Sequence, residues 1–152
     1  MTAASPTYAR RQAEFVAGLR FEDLPDEVVA SVGERVLDTL GIALAASALD
    51  TSEAVRTVAT AWGGFGRAAA IGVRERLPAS SAALVNGTLA HSLDFDDTHL
   101  PSILHPSACV VPAVLAAGQA ARARGRDAVV AAAAAYELCV RLGMAAYDPE
   151  LR

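Results

Sequence analysis

The most regular hydrophobic pattern in the chain lies between Asp26 and about Ser47. Its apolar residues recur at four-residue steps: Val28, Val32, Val36, Leu40 and Leu44, with Val29 and Leu37 beside them. This spacing is typical of one apolar face of an amphipathic helix. Asp23 and Pro25 precede it as a helix start signal, so the pattern predicts a long helix that ends near Ser47.

Start and stop signals predict five more helices. The start signals are Ser5-Pro6, Thr51 or Ser52, Pro78, Pro106 and Asp127. Ser, Thr, Asp and Pro favour the first turn of a helix, and glycines favour its end. The predicted ranges are about 6–19, 51–62, 78–93, 106–125 and 127–146. Pro112 lies inside the fifth range and predicts a kink or a break there.

The remaining segment, 64–72, is short, flanked by glycines and not periodic. It predicts an extended connector, with one small strand near 67–72 as the alternative. Alanine makes up 35 of the 152 residues, and alanine has the highest intrinsic helix propensity. Because the connections are short, consecutive helices are expected to pack antiparallel. The predicted fold class is all-α, an antiparallel bundle of about six helices.

Charge and composition limit the classes of partner that this chain is expected to bind. The net charge is −4 and the 13 basic residues, all Arg, form no basic tract, so a nucleic-acid partner is not expected. The longest apolar run, about 128–136, is shorter than the ~20 residues that a membrane span needs, and residues 1–15 have no apolar signal core. We therefore expect no membrane partner and a cytoplasmic location. Cys109 and Cys139 are isolated among Ala and Val, which predicts buried, inert thiols.

Groups that titrate or bind metals are crowded into one segment. All three histidines and three aspartates lie between residues 91 and 105: His91, Asp94, Asp96, Asp97, His99 and His105. The segment joins two predicted helices, and loops often carry catalytic residues. Such crowding is typical of a functional site.

Three interpretations of this cluster remain open from the residue types alone. Neighbouring carboxylates and histidines suit general acid/base catalysis near neutral pH. Histidine and aspartate also suit a divalent metal ion, although the spacing matches no closed metal motif. In the structural interpretation, Asp96 and Asp97 cap a helix or bind backbone amides of the loop.

A family resemblance favours the first interpretation. The stretch from Asn86 to Thr98, with His91 and Asp94 inside it, is followed by His105-Pro106-Ser107, and together they resemble the signature of the MmgE/PrpD family. Segments 23–41, 70–72 and 136–143 resemble other landmarks of that family in the same order. The family includes 2-methylcitrate dehydratase and cis-aconitate decarboxylase.

The resemblance implies that 1–152 is the N-terminal portion of an all-helical domain, with the family's lid domain absent from this chain. It implies a lyase or isomerase that dehydrates, decarboxylates or epimerises small di- or tricarboxylates without a metal or organic cofactor. It further implies these roles: catalysis for Asp94 and His105, substrate binding for Thr98 and His91, and structural support for Asn86, Asp96 and Asp97. Asp94, Thr98 and His105 should then converge on one pocket edge.

The expected partners are a small carboxylic-acid substrate and either further copies of the chain or a complementary C-terminal chain. Two other hypotheses belong to different classes. The chain could be a truncated, non-catalytic helical module that serves as an interaction domain. It could also be a metal-dependent hydrolase on a helical scaffold.

Overall fold

The computed structural model describes residues 6–146, and it confirms the predicted fold class: six helices, 72% of these residues helical and no sheet among them. The helices are α1 (Tyr8–Gly18), α2 (Asp26–Ala46), α3 (Asp50–Ala61), α4 (Ala79–His91), α5 (Pro106–Ala121) and α6 (Gly125–Ala146). Single 3-10 turns lie at Phe21–Asp23 and Leu100–Ser102. The predicted start signal at Ser5 lies outside the described residues.

Three predicted helix boundaries are wrong: the start of α3, the end of α5 and the start of α6, where Gly125 rather than Asp127 is the first residue. Helix α3 begins at Asp50, so neither Thr51 nor Ser52 is its cap. The Ser52 hydroxyl instead donates to the carbonyl of Ala46 at 2.6 Å and is buried, which joins α3 to the end of α2. Glycine 125 begins α6 rather than ending α5, because the preceding helix already stops where Arg122 adopts a left-handed conformation, φ 55°.

Helix α5 runs without interruption through Pro112, so a break at this residue is excluded. Proline has no N–H to donate to the carbonyl one turn earlier, that of Ala108. This carbonyl faces α4, where a Cβ added to Gly87 would lie 3.0 Å from its oxygen. Because glycine stands there, α4 and α5 approach closely at the end that carries the crowded segment.

The apolar stripe of α2 is buried only in part. The buried residues of this helix are Val32, Thr39, Ile42, Ala43 and Ala46, whereas Leu37 and Leu44 are exposed. A four-residue step exceeds the 3.6-residue turn, so each step rotates the stripe by about 40° around the helix. The pattern therefore predicted the helix correctly but not the face that the protein buries.

Small side chains dominate the main core. Its fully buried members include Ala46, Ala59, Ala82, Ala90 and Leu89, contributed by α2, α3 and α4. Alanine fills little space, so it permits close contact between helix backbones. A second cluster around Val32, Val110 and Ala132 packs α2, α5 and α6 together.

The connector between α3 and α4 has no helix and contains no full strand within residues 6–146. Its only pairing is an isolated antiparallel bridge between Ala68 and Leu77. Asn86 of α4 fixes the connector further: its amide donates to the carbonyl of Ala69 at 2.9 Å and accepts from the N–H of Ile71 at 2.8 Å. The Asn86 side chain thus binds the backbone of the connector, which precedes the crowded segment in the sequence.

Helix α6 has 22 residues and a mean hydropathy of 1.5 over an 18-residue window, so by length and composition alone it is able to cross a membrane. It is longer than the apolar run read from the sequence because it includes the charged residues Arg126, Asp127, Glu137 and Arg141. Core helices of soluble proteins meet the same criterion. In this structure α6 packs against α5 and α2.

Candidate active site

Four of the crowded side chains meet at one end of the bundle. His91 is the last residue of α4, Asp94 and Asp96 lie in the following loop, and His105 is the residue immediately before α5. One nitrogen or oxygen atom from each of the four lies within 4.8 Å of the others. The close packing of α4 on α5 holds the two histidines together, with their ring centres 5.0 Å apart.

Asp96 lies at the buried side of this cluster. Its side chain is only 1% exposed, and both its oxygens face Nδ1 of His91, at 3.0 and 3.2 Å. Oδ2 of Asp96 also lies 3.6 Å from Nδ1 of His105. That nitrogen is buried and has no hydrogen-bond partner among the described residues.

Asp94 lies on the opposite, open side. Its side chain is 80% exposed, and its Oδ1 lies 4.0 Å from Nε2 of His105. Its backbone has φ 55°, in the left-handed region, which aspartate tolerates better than most residues. Ile103, just before His105, also has φ 50°, which is a costly conformation for a β-branched residue. Strained backbone of this kind clusters at functional sites.

Asp97 faces away from the histidines. It forms an ion pair with Arg35 of α2, and its other oxygen accepts from the backbone N–H of Ser107 at 2.9 Å. The carboxylate therefore caps the first turn of α5 and connects it to α2. These contacts agree with the structural interpretation, in which Asp97 caps a helix or binds backbone amides.

Arg35 and Tyr136 belong to the same network, although neither was predicted from the sequence as a site residue. The Arg35 guanidinium lies 5.4 Å from the centre of the Tyr136 ring, and the Tyr136 hydroxyl is 2.6 Å from that of Ser107. Burial raises the pKa of Tyr136 above its usual value. The available sequence signal was Arg35 itself, a lone cation between the apolar positions of α2.

Thr98 lines a different cavity from His91 and His105. It shares a cavity of about 500 Å³ with Arg35, Asp97, His99 and Tyr136. Of the three residues expected at one pocket edge, the structure brings Asp94 and His105 together and places Thr98 in the neighbouring cavity. The substrate-binding role of Thr98 stays a prediction.

The cavity that contains the two histidines measures about 750 Å³ and is open. We call it the histidine cavity; its other polar lining residues are Thr51, Thr88, Ser92, Cys109 and Cys139. No arginine lines it within residues 6–146. The histidine cavity therefore offers imidazoles, hydroxyls and thiols, but no fixed cation to neutralise an anionic ligand.

Two imidazoles and two carboxylates are also ligands that suit a divalent metal ion. The four atoms of His91, Asp94, Asp96 and His105 lie close enough to share one ion. Asp96 already accepts a hydrogen bond from His91, so a metal at this point would replace an existing contact.

The comparison with known proteins decides the family. Residues 10–152 match the MmgE/PrpD N-terminal domain. The chain belongs to the MmgE/PrpD family. The family predicted from the sequence is thereby confirmed.

Curated relatives of this MmgE/PrpD domain include cis-aconitate decarboxylases. The chain is 26% identical over 142 residues to the cis-aconitate decarboxylase of Aspergillus terreus. The aligned region covers 90% of this chain and 29% of the relative. It is 32% identical over 119 residues to the cis-aconitate decarboxylase of Mus musculus, and this aligned region covers 71% of this chain and 22% of the relative. The chain thus spans less than a third of the length of these relatives.

The two thiols of the histidine cavity should differ in reactivity. Cys109 is exposed and Cys139 is half-buried, so the prediction that both thiols are buried is wrong for Cys109 and holds only in part for Cys139. The pKa of Cys139 is raised, first by burial and then by the neighbouring Cys109 and Asp97. Because the thiolate is the reacting form, limiting iodoacetamide at pH 8 should alkylate Cys109 first, as measured by peptide mass spectrometry. Equal labelling of both residues, or labelling of Cys139 first, would contradict this expectation, and Cys109→Ser provides the control.

Proposed function

We propose that this domain supplies an acid/base pair, Asp94 and His105, to an enzyme that acts on small di- or tricarboxylates. The single observation that carries the proposal is the approach of His105 Nε2 to Asp94 Oδ1, 4.0 Å, in a chain of the MmgE/PrpD family, where His105 also lines the histidine cavity and Asp94 is 80% exposed. Because the chain is similar in sequence to cis-aconitate decarboxylases, cis-aconitate is the first substrate to test.

The chemistry explains why such a pair is needed. When a carboxylate leaves as CO2, the electrons of the broken carbon–carbon bond stay on the remaining skeleton and must be taken up by a proton. Dehydration and epimerisation instead begin with removal of a proton from carbon. An imidazole beside a carboxylate is able to deliver or accept this proton near neutral pH.

The size of the cavity agrees with this proposal. Ligand cavities in proteins typically measure about 300–1,000 Å³, and the histidine cavity measures about 750 Å³. Its described lining supplies hydroxyl groups but no arginine. We therefore expect the cations that neutralise the substrate's carboxylates to come from another chain or segment, which agrees with the greater length of the curated relatives.

The test is a substrate screen in two arms. In the first arm the purified 152-residue chain is incubated with cis-aconitate and 2-methylcitrate, and we expect no turnover. In the second arm the chain is produced together with the polypeptide encoded directly downstream of it, whether joined or separate, and we expect consumption of one of these acids, followed by NMR. Failure of the second arm across a panel of di- and tricarboxylates would overturn the proposal, and turnover in the first arm would refute the expected need for added groups.

A further inference from the structure

The buried carboxylate of Asp96 faces both histidines of the cluster. In each histidine it faces the same ring nitrogen, Nδ1. Its oxygens lie 3.0 and 3.2 Å from Nδ1 of His91, and Oδ2 lies 3.6 Å from Nδ1 of His105. A carboxylate only accepts hydrogen bonds. The nitrogen of His91 that contacts it must therefore carry the hydrogen.

The same reasoning applies to His105. Its Nδ1 is buried and has no other partner among the described residues. Without a hydrogen, the nitrogen lone pair would face the lone pairs of a carboxylate oxygen across a short distance, which is repulsive. With a hydrogen, Nδ1 points a donor at Asp96, and a shift of a few tenths of an ångström completes the bond.

The tautomer determines which nitrogen is free for chemistry. A neutral imidazole carries one hydrogen, so a hydrogen on Nδ1 leaves Nε2 as a bare base. In His105 this Nε2 lies 4.0 Å from Oδ1 of Asp94, whose side chain is 80% exposed. The repulsion between the two lone pairs is weak at this contact, because the distance exceeds that of a hydrogen bond and solvent screens an exposed carboxylate, unlike the buried one of Asp96. A base oriented by a third group is the usual arrangement of a catalytic histidine.

We propose that Asp96 is a positioning residue, which holds His91 and His105 in the Nδ1-protonated tautomer and so leaves Nε2 of His105 as the base that faces Asp94. The catalytic meaning of this tautomer rests on the proposed function. The tautomer itself does not, because it follows from the contacts of Asp96 alone.

The tautomer is measured directly by long-range 1H–15N NMR of the 15N-labelled 152-residue chain, with EDTA present to exclude trace metal. The chain has three histidines, and His91→Gln, His99→Gln and His105→Gln assign the signals. At a pH where the imidazoles are neutral, we expect a protonated Nδ1 and a bare Nε2 in His91 and His105. A protonated Nε2 with bare Nδ1 in His105 of the unmodified chain would overturn the proposal.

A matched pair of variants tests the cause. Asp96→Asn keeps the size of the side chain but replaces one acceptor with a donor, so at least one of the two histidines should change to the Nε2-protonated tautomer. Asp97→Asn alters the adjacent carboxylate, which contacts Arg35 and Ser107 instead, and should leave both tautomers unchanged. The proposal fails if both variants have the same effect. If Asp96→Asn does not fold, the spectrum of the unmodified chain still decides.

The activity assay separates the two proposals. In the assembly that turns over substrate, Asp96→Asn should lower kcat about 10- to 100-fold with little change in KM, since a misoriented base weakens the chemical step rather than binding. The expected tautomer without any turnover in that assembly would leave the positioning of the histidines intact and refute the proposed function. Turnover with a protonated Nε2 and a bare Nδ1 in His105 would support the proposed function and refute the positioning of the histidines by Asp96.

Discussion

Gly66→Ala should destabilise the protein by about 3 kcal/mol or more, the largest effect on stability that we expect from a single methyl group. A Cβ at position 66 would lie 1.8 Å from the carbonyl oxygen of Leu77, 2.0 Å from its carbon and 2.2 Å from the nitrogen of Pro78. All three are backbone atoms, so no side-chain rotation relieves the overlap.

The cost extends to the bridge that holds the connector. The carbonyl of Leu77 accepts from the N–H of Ala68 at 3.1 Å, and the N–H of Leu77 donates to Ala68 at 2.9 Å. Both residues are buried in the main core. If the chain moves to make room for the methyl group, it weakens these bonds and exposes core surface.

Thermal unfolding followed by circular dichroism measures the effect. For a chain of this size, about 3 kcal/mol corresponds to a loss of roughly 6–12 °C in Tm. The matched control is Gly41→Ala, at a helical glycine of α2 where an added Cβ meets nothing within 4 Å. This control should gain about 0.5–1 kcal/mol through helix propensity. An unchanged Tm for Gly66→Ala would show that the close approach is wrong.

His105→Gln and Asp94→Asn should each lower kcat about 10²- to 10⁴-fold in the assembly that turns over a carboxylic acid, because each removes one member of the proton-transferring pair. Neither replacement should unfold the chain. Asp94 is largely exposed, and asparagine tolerates its left-handed backbone equally well. Glutamine at position 105 retains polar atoms at the start of α5.

His99→Gln is the matched control for this pair. Nδ1 of His99 bonds the hydroxyl of Ser102 at 2.8 Å, and His99 lines the other cavity. Its replacement should keep activity within about threefold of the unmodified chain, well below the general acid/base effect. Activity of Asp94→Asn above a tenth of the unmodified value would remove Asp94 from the proposed pair. An equal loss in all three variants would indicate a structural effect.

Much of the fold could be predicted from local signals. Prolines 78 and 106 and the acidic residues before Val28 placed the starts of α4, α5 and α2 within one or two residues, because capping and propensity act within a single turn. The errors lie where distant contacts override local preference. Ser52 has the chemistry of a cap, but it bonds the preceding helix. Leu37 fits the apolar stripe, but no helix within residues 6–146 covers it.

The candidate site shows the same division. Sequence alone determined that His91, Asp94, Asp96 and His105 are crowded into a short segment, and that the segment belongs to the MmgE/PrpD family. It gave Asp96 and Asp97 the same supporting role, since neighbouring aspartates look alike in a sequence. In the structure one carboxylate faces two imidazoles and the other faces Arg35 and the first turn of α5.

Tertiary structure alone decided which side chains share a cavity. Residue spacing fixes helix starts and the length of the loop, because those depend on neighbours in the chain. It does not fix the direction of each side chain within the loop, which depends on how closely α4 and α5 approach at Gly87 and on the pairing of Asp97 with α2. For this reason Asp94 and His105 meet on one side of the loop, while Thr98 faces the neighbouring cavity.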